Sequence, residues 1–161
     1  MDLKHIIVTG DSAGGHLATA VCLLAILRGF KVPDGLLIHY PSLTIDSKFY
    51  PSVMLSLDDA ILSQHFMKFV LSCFTRNDCN PDKSPILSPV YAPAQLLNRL
   101  PYVRIFACEV DSLRDQSLYF LHKLIEADDF KRPDRAKLFY MREYIHGFCQ
   151  MDMKIAVDEF K

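Results

Sequence analysis

The chain has 161 residues, of which 50% are hydrophobic and 23% are charged, and its formal net charge is −1 at pH 7. This length fits a single domain with its own core, and the near-neutral charge argues against a nucleic-acid-binding protein or an acidic tail. The longest apolar run covers residues 20–27, too few to span a bilayer, and no secretory signal follows Met1. We therefore expect no transmembrane segment and a cytoplasmic location, with lipid surfaces as a second location.

Strands and helices alternate along the chain. Short apolar, often β-branched runs predict strands over residues 5–9, 36–39, 102–108 and 136–141. Helical spacing predicts helices over residues 13–28, 56–74, 111–127 and 150–160, and residues 77–93 are rich in loop-forming residues. This order predicts an α/β fold: a mostly parallel sheet of about four strands flanked by helices, with functional residues at the carboxyl ends of the strands.

The first two helices carry more specific expectations. In the first, Leu17, Val21, Leu24 and Leu27 recur at helical spacing, and the apolar run over residues 20–27 indicates a buried helix. In the second, Ser56 and Asp59 resemble a capping box that would begin the helix. Because the second helix is apolar on nearly all sides, we expect it to be buried or to cover an apolar site.

The cysteines are scattered and odd in number. This pattern predicts buried free thiols in a reducing compartment rather than a disulfide framework. Cys73 and Cys79 lack the spacing of a zinc site, and no histidine pair supports one, so we expect no bound metal. The five cysteines are Cys22, Cys73, Cys79, Cys108 and Cys149.

A turn of the form Gly-x-Ser-x-Gly joins the first predicted strand to the first predicted helix. Gly10, Asp11, Ser12, Ala13 and Gly14 form this turn, which has the pattern of a nucleophile elbow. We expect side chains at the two flanking glycine positions to crowd the serine. The N-terminus of the helix would stabilise an oxyanion, with the Ala13 N–H as the natural donor. The alternative of a phosphate-binding turn lacks the sequence motifs of nucleotide sites.

A serine nucleophile needs a base and an acid that orients it. In this fold class the chain order is serine, then Asp or Glu, then His. Asp111 follows the third predicted strand and His146 follows the fourth, so both would converge on Ser12 at the carboxyl edge of the sheet. Alternatively, Asp111 caps a helix, a role that one carboxylate could combine with orientation, and His146 is a solvated loop residue.

Other polar residues have weaker claims to a functional role. Asp11 and Asp115 would either support the active-site loops through hydrogen bonds or be plain surface charges. The remaining histidines are more often structural than catalytic, although one of them, one turn into the first helix, would flank the site or be exposed. They are His5, His16, His39, His65 and His122.

Four separated stretches together resemble the hormone-sensitive lipase family of α/β-hydrolases. They are the elbow, which continues into Gly15, the run Tyr40-Pro41-Ser42, and residues 84–117 followed later by His146-Gly147-Phe148. The resemblance implies a carboxylic ester hydrolase with Ser12 as nucleophile, His146 as base and acid and Asp111 as orienter. It also implies apolar acyl or lipid esters as substrates and no metal or organic cofactor.

The sequence departs from this family before the elbow. Family members carry a His-Gly-Gly motif there, whose N–H groups form much of the oxyanion hole, and no glycine precedes Gly10 in this chain. We therefore expect an incomplete domain over residues 1–161, equivalent to the C-terminal half of a hydrolase, in which Met1 is an internal methionine. Its first strand would be an exposed edge, available to a partner chain. The alternatives to an esterase are a catalytically impaired structural or interaction subunit and a peptidase or acyltransferase on the same fold.

Overall fold

The sheet has four parallel strands in the order in which they occur in the sequence. A computed structural model describes residues 4–45, 50–57, 59, 61–75, 80–127, 131–132 and 134–150. The strands are β1 (Ile7–Asp11), β2 (Gly35–His39), β3 (Tyr102–Val110) and β4 (Ala136–Ile145), with a bulge where β3 and β4 lose register after Cys108. The predicted fold class is confirmed, and β3 and β4 extend further at their carboxyl ends than the sequence pattern indicated.

Four helices and several single turns connect the strands. The helices are α1 (Ala13–Arg28), α2 (Gln64–Phe74), α3 (Ala94–Leu97) and α4 (Arg114–Ala127). Short 3₁₀ turns cover Pro51–Leu57, Pro81–Lys83, Pro89–Tyr91 and Phe148–Gln150. The helix predicted over 150–160 lies outside the described residues except for Gln150. No helix in the described ranges is both long and apolar enough to cross a membrane.

The main core lies between one face of the sheet and helices α1, α3 and α4. Alternate residues of the two central strands point into it, among them Ile38 and Ile105, which are fully buried. Leu23 of α1 and Phe120 of α4 pack against these positions and are equally buried. The alternation of buried and partly exposed residues along β2 and β3 explains why short apolar runs sufficed to identify these strands.

The face of α1 that carries the regularly spaced apolar residues is exposed. Leu17 and Val21 are 58% and 53% exposed, whereas Ala18 and Cys22, one position further along, are buried against the sheet. The helical period was correct, but this face of the helix is not buried. Because α1 is apolar on all sides, spacing alone does not choose the buried face, and its smaller residues allow the closer approach to the sheet.

The second helix begins later than its predicted capping box. Ser56 lies within a 3₁₀ turn, and the Asp59 carboxylate accepts hydrogen bonds from the N–H groups of Ile61 and Leu62 at 2.7 and 3.0 Å. The helix is capped instead by Ser63, whose hydroxyl accepts a hydrogen bond from the Phe66 N–H at 3.3 Å. A local turn around the Asp59 side chain thus competes successfully with helix formation.

The prediction for the cysteines holds only in part. Cys22 and Cys108 are buried free thiols, whereas Cys73 and Cys149 are free and exposed. Cys79 lies outside the described residues. Burial raises the pKa of the Cys22 thiol to about 11 and also raises the pKa of Cys108, so both thiols stay protonated at neutral pH.

Candidate active site

Ser12 sits on a strained turn between β1 and α1. Its φ of 53° and ψ of −122° lie in a region that non-glycine residues rarely occupy. Backbone hydrogen bonds hold this conformation: the Ser12 N–H donates to the His39 carbonyl at 2.9 Å, and the Ser12 carbonyl accepts from the Ser42 N–H at 3.2 Å. The turn therefore depends on β2 and the segment that follows it.

Two of the three elbow glycines are required by close backbone approach. A Cβ at Gly10 would lie 2.3 Å from the Gly14 carbonyl oxygen, and a Cβ at Gly15 would lie 2.8 Å from the Pro41 Cβ. A Cβ at Gly14 would meet only an Asp11 carboxylate oxygen at 3.8 Å, an ordinary contact. The expectation that both flanking positions are crowded is thus correct for Gly10 and wrong for Gly14, and the second tight position is Gly15.

The structure brings Ser12, His146 and Asp111 into one hydrogen-bonded chain. His146 Nε2 lies 2.8 Å from Ser12 Oγ, and His146 Nδ1 lies 2.9 Å from Asp111 Oδ2. The Asp111 carboxylate is fully buried and His146 is only 4% exposed, so His146 is not a solvated loop residue. Because an ionised carboxylate only accepts, Nδ1 donates to Asp111, which leaves the Nε2 lone pair facing the hydroxyl of Ser12.

Both oxygens of the Asp111 carboxylate have hydrogen-bond partners. Its Oδ1 accepts a hydrogen bond from the Leu113 N–H at 2.8 Å, which fixes the turn before α4, while Oδ2 binds His146. The carboxylate is therefore held from both sides, and the imidazole that it binds has a fixed orientation.

A mainly apolar cavity of about 290 Å³ opens beside Ser12. Its walls come from the start of α1, from the segment after β2 and from α2. Of the two expectations for this helix, burial in the core or a position over an apolar site, the second agrees with this arrangement. Ser12, Ser42 and His16 are its polar members. The other residues are Ala13, Leu17, Ile45, Leu62, Phe66, Met67, Val70, Leu71, Phe74 and Leu113.

Comparison with known proteins identifies the family of this chain. The profile of a family with the alpha/beta hydrolase fold, Abhydrolase_3, matches residues 1–150. The chain belongs to this α/β-hydrolase family. This membership agrees with the parallel sheet and with the position of Ser12 at the start of α1.

The individual relatives of this chain include esterases and lipases. Hormone-sensitive lipase of Mus musculus is 39% identical over 72 residues, which are 45% of this chain and 10% of the lipase. An esterase of Gibberella moniliformis is 25% identical over 122 residues, 76% of this chain and 38% of the esterase. Carboxyl esterase 2 of Tuber melanosporum superposes with a TM-score of 0.80 at 26% identity, over 94% of this chain and 48% of the esterase. The chain thus spans less than half the length of these relatives.

An aromatic cluster packs against His146 through Tyr40, and the sequence did not reveal this contact. The Tyr40 ring lies 4.8 Å from the His146 ring, and Phe148 packs against Tyr40 at 5.6 Å and against Tyr144 at 4.6 Å. Tyr40 is buried and has a positive φ of 35°. Burial, with a smaller contribution from Cys149, raises the pKa of the Tyr40 hydroxyl, so the ring stays neutral. The turn at Tyr40-Pro41 was visible in the sequence, but its contact with the histidine was not.

Asp11 and Asp115 each bind a nearby segment. The Asp11 carboxylate accepts a hydrogen bond from the Gln150 amide, which ties the elbow to the turn after His146. The Asp115 carboxylate accepts from the Ser52 N–H at 2.8 Å and from Arg114 Nε at 3.0 Å. Both are therefore more than surface charges.

Gln116, which the sequence did not indicate, holds one wall of the cavity. Its Oε1 accepts hydrogen bonds from the N–H groups of Leu43 and Thr44 at 2.9 and 3.2 Å, and the three residues are buried. This contact joins α4 to the segment between Ser42 and Ile45, which lines the cavity. A glutamine next to a supporting aspartate gives no sequence signal, because its partner is the backbone of a segment more than 70 residues away.

Ala13 stays the oxyanion donor predicted from the sequence. Ala13 is the first residue of α1 and lines the cavity together with Ser12, and a first-turn N–H has no acceptor within its own helix. Among the described residues, no group of three His, Cys, Asp or Glu side chains is arranged to hold a metal ion.

Proposed function

We propose that this chain carries the proton-relay half of a carboxylic ester hydrolase. The supporting observation is the hydrogen-bonded chain from Ser12 Oγ through His146 to Asp111. In the reaction, Ser12 Oγ attacks the ester carbonyl while His146 Nε2 takes its proton, and the imidazolium then protonates the departing alcohol. Water attacks the acyl-enzyme with His146 again as base, which releases the acid and restores Ser12. Asp111 orients the imidazole and stabilises its positive charge.

The cavity beside Ser12 supports an ester with an apolar acyl group as the substrate. A volume of about 290 Å³ equals that of about ten water molecules in the liquid, at ~30 Å³ each. This is enough for a short or medium acyl chain. Phe66 and Phe69 of α2 are 50% and 65% exposed, which favours action on lipid esters at a lipid surface. A cytoplasmic location stays a prediction of the sequence.

The oxyanion hole limits the rate that these residues alone can support. Ala13 would donate one hydrogen bond, and the sequence contains no His-Gly-Gly segment before Ser12 to add others. Loss of one such donor slows turnover by about 10²–10³. We therefore expect the 161 residues alone to hydrolyse esters slowly even though the proton relay is assembled.

A fluorophosphonate probe tests the nucleophile directly. The native source material is labelled, and both the intact mass of the labelled protein and the modified peptide are measured, with a Ser12→Ala variant as control. We expect the label on Ser12 and none on the variant. A folded protein that takes no label, or a variant that takes as much label as the wild type, would overturn the proposed role of Ser12.

A second candidate function is that of an interaction subunit. Among the described residues β1 pairs only with β2, and Ile7 on this edge strand is 70% exposed. An open strand edge can pair with another chain. Light scattering on the purified chain distinguishes the two functions: a folded assembly that takes no fluorophosphonate label supports the subunit, whereas a labelled monomer contradicts it.

A further inference from the structure

His16, which lines the cavity, connects α1 to the end of α2 and to the segment at Ile86. It lies on α1 and is 5% exposed, and its Nε2 lies 2.8 Å from the Ile86 carbonyl oxygen. Because a carbonyl only accepts, Nε2 carries a hydrogen and donates it. The imidazole and the ring of Phe74 meet in an edge-type arrangement, with 6.2 Å between the ring centroids and 65° between the planes. The nucleophile helix, the end of α2 and the segment at Ile86 thus meet at one side chain.

The position of α2 depends on such contacts. It has only 11 residues, and an isolated helix of that length is marginal in water. Much of its apolar surface faces away from the core, since Phe69 is 65% and Phe74 is 53% exposed. Burial therefore holds α2 weakly, and the contact between His16 and Phe74 fixes its C-terminal end.

His16 also lies at a definite distance from the nucleophile. It follows Ser12 by four residues, which corresponds to about 6 Å along the axis of α1. Ser12, His16 and Phe74 line the same cavity. An acetyl group bound at Ser12 would not extend to His16, whereas an octanoyl chain that follows the cavity would pass it.

We propose that His16 is a positioning residue that holds the end of α2 over the cavity and thereby sets the affinity for medium-length acyl chains. The inference rests on the proposed function, in which this cavity receives the acyl group of an ester. It assigns His16 a role in chain-length selection and none in the proton transfers.

Kinetics with two esters of the same alcohol test this role. For the full chain, kcat and KM are measured with 4-nitrophenyl acetate and 4-nitrophenyl octanoate for the wild type, His16→Leu and His16→Gln. We expect His16→Leu to raise the ratio of the octanoate KM to the acetate KM about tenfold, the order of one lost hydrogen bond, and to change this ratio more than it changes kcat for either ester. His16→Gln keeps a donor for the Ile86 carbonyl and places a planar amide beside Phe74, so it should restore most of the affinity for the octanoate. His65→Leu, at an exposed position of α2, is the matched control.

A binding measurement decides the inference even without turnover. If the wild type hydrolyses neither ester, the proposed function fails, and the calorimetric Kd of octanoate for the same variants still reports on His16. If His16→Leu does not fold, Phe74→Ala removes the other side of the ring contact at a half-exposed position and should weaken octanoate binding in the same way. The inference is overturned if the wild type does not bind octanoate, if both esters lose kcat equally, or if His16→Gln behaves like His16→Leu.

Discussion

Two glycines of the elbow, Gly10 and Gly14, provide a matched test of the strained turn. Both flank Ser12 in the Gly-x-Ser-x-Gly pattern, and both would be expected to matter equally from the sequence alone. The structure distinguishes the two positions, because an added methyl group would collide with backbone at Gly10 and would have space at Gly14. The test compares Gly10→Ala with Gly14→Ala.

The two substitutions should change the free energy of unfolding in opposite directions. At Gly10 the new Cβ would lie 2.3 Å from the carbonyl oxygen and 2.4 Å from the carbonyl carbon of Gly14, and backbone atoms cannot rotate away. We expect a loss of about 1–3 kcal/mol in the free energy of unfolding, as for other overpacked sites. At Gly14 the nearest atom is an Asp11 oxygen at 3.8 Å, so alanine fits within the first turn of α1. Its lower unfolded-state entropy should stabilise the protein by about 0.4–1 kcal/mol.

Urea unfolding and fluorophosphonate labelling measure the two consequences. With a slope of about 2 kcal/mol per molar, Gly10→Ala should lower the urea midpoint by roughly 0.5–1.5 M, and Gly14→Ala should raise it slightly. The labelling rate of Ser12 should fall for Gly10→Ala, because the shift of the backbone moves the hydroxyl away from His146, and should persist for Gly14→Ala. Equal destabilisation by the two substitutions would refute the steric argument.

Three further predictions concern the site and the core. Asp111→Asn should lower the labelling rate of Ser12 by about 10³–10⁴, because an amide no longer favours the imidazole tautomer with a free Nε2, and the rate constant at pH 7 checks this. Gln116→Ala should destabilise the fold by about 1–3 kcal/mol for each backbone N–H left without an acceptor, whereas Gln116→Glu keeps an acceptor oxygen and should cost less in urea unfolding. Burial raises the pKa of Cys22 from 9.0 to about 11. The contribution of the protonated Cys22 thiol to the free energy of unfolding should therefore be complete below pH 9 and lost as the pH rises towards 11. Native Cys22 should accordingly resist iodoacetamide at pH 8 and react after unfolding, as peptide mass spectrometry would show.

The parts of the fold that the sequence predicted correctly depend on local patterns. Strands and helices alternate with clear periods, and parallel strands place their carboxyl ends at one edge of the sheet. This rule alone explains why Ser12, Asp111 and His146, which are far apart in the chain, lie within hydrogen-bonding distance of one another. Their catalytic roles stay a prediction that the labelling experiments test.

The features that were missed depend on contacts between distant segments. The buried face of α1 was not predicted because a helix that is apolar on all sides has no intrinsic direction, and the sheet selects the small residues Ala18 and Cys22. The start of α2 was wrong because the side chain of Asp59 forms a turn with its own neighbours. Gln116 gave no signal, since its partners are backbone groups that only the folded chain brings to it.

The carboxyl end of each of the four strands is followed by a residue of the group around His146. Ser12 follows β1, Tyr40 follows β2 and packs on the imidazole, and Asp111 and His146 follow β3 and β4. The proposed relay would use Ser12, His146 and Asp111, whereas Ala13 N–H is only one of the donors that an oxyanion hole requires. Oxyanion donors added from another segment should therefore raise turnover and leave the hydrogen bonds between Ser12, His146 and Asp111 as they are.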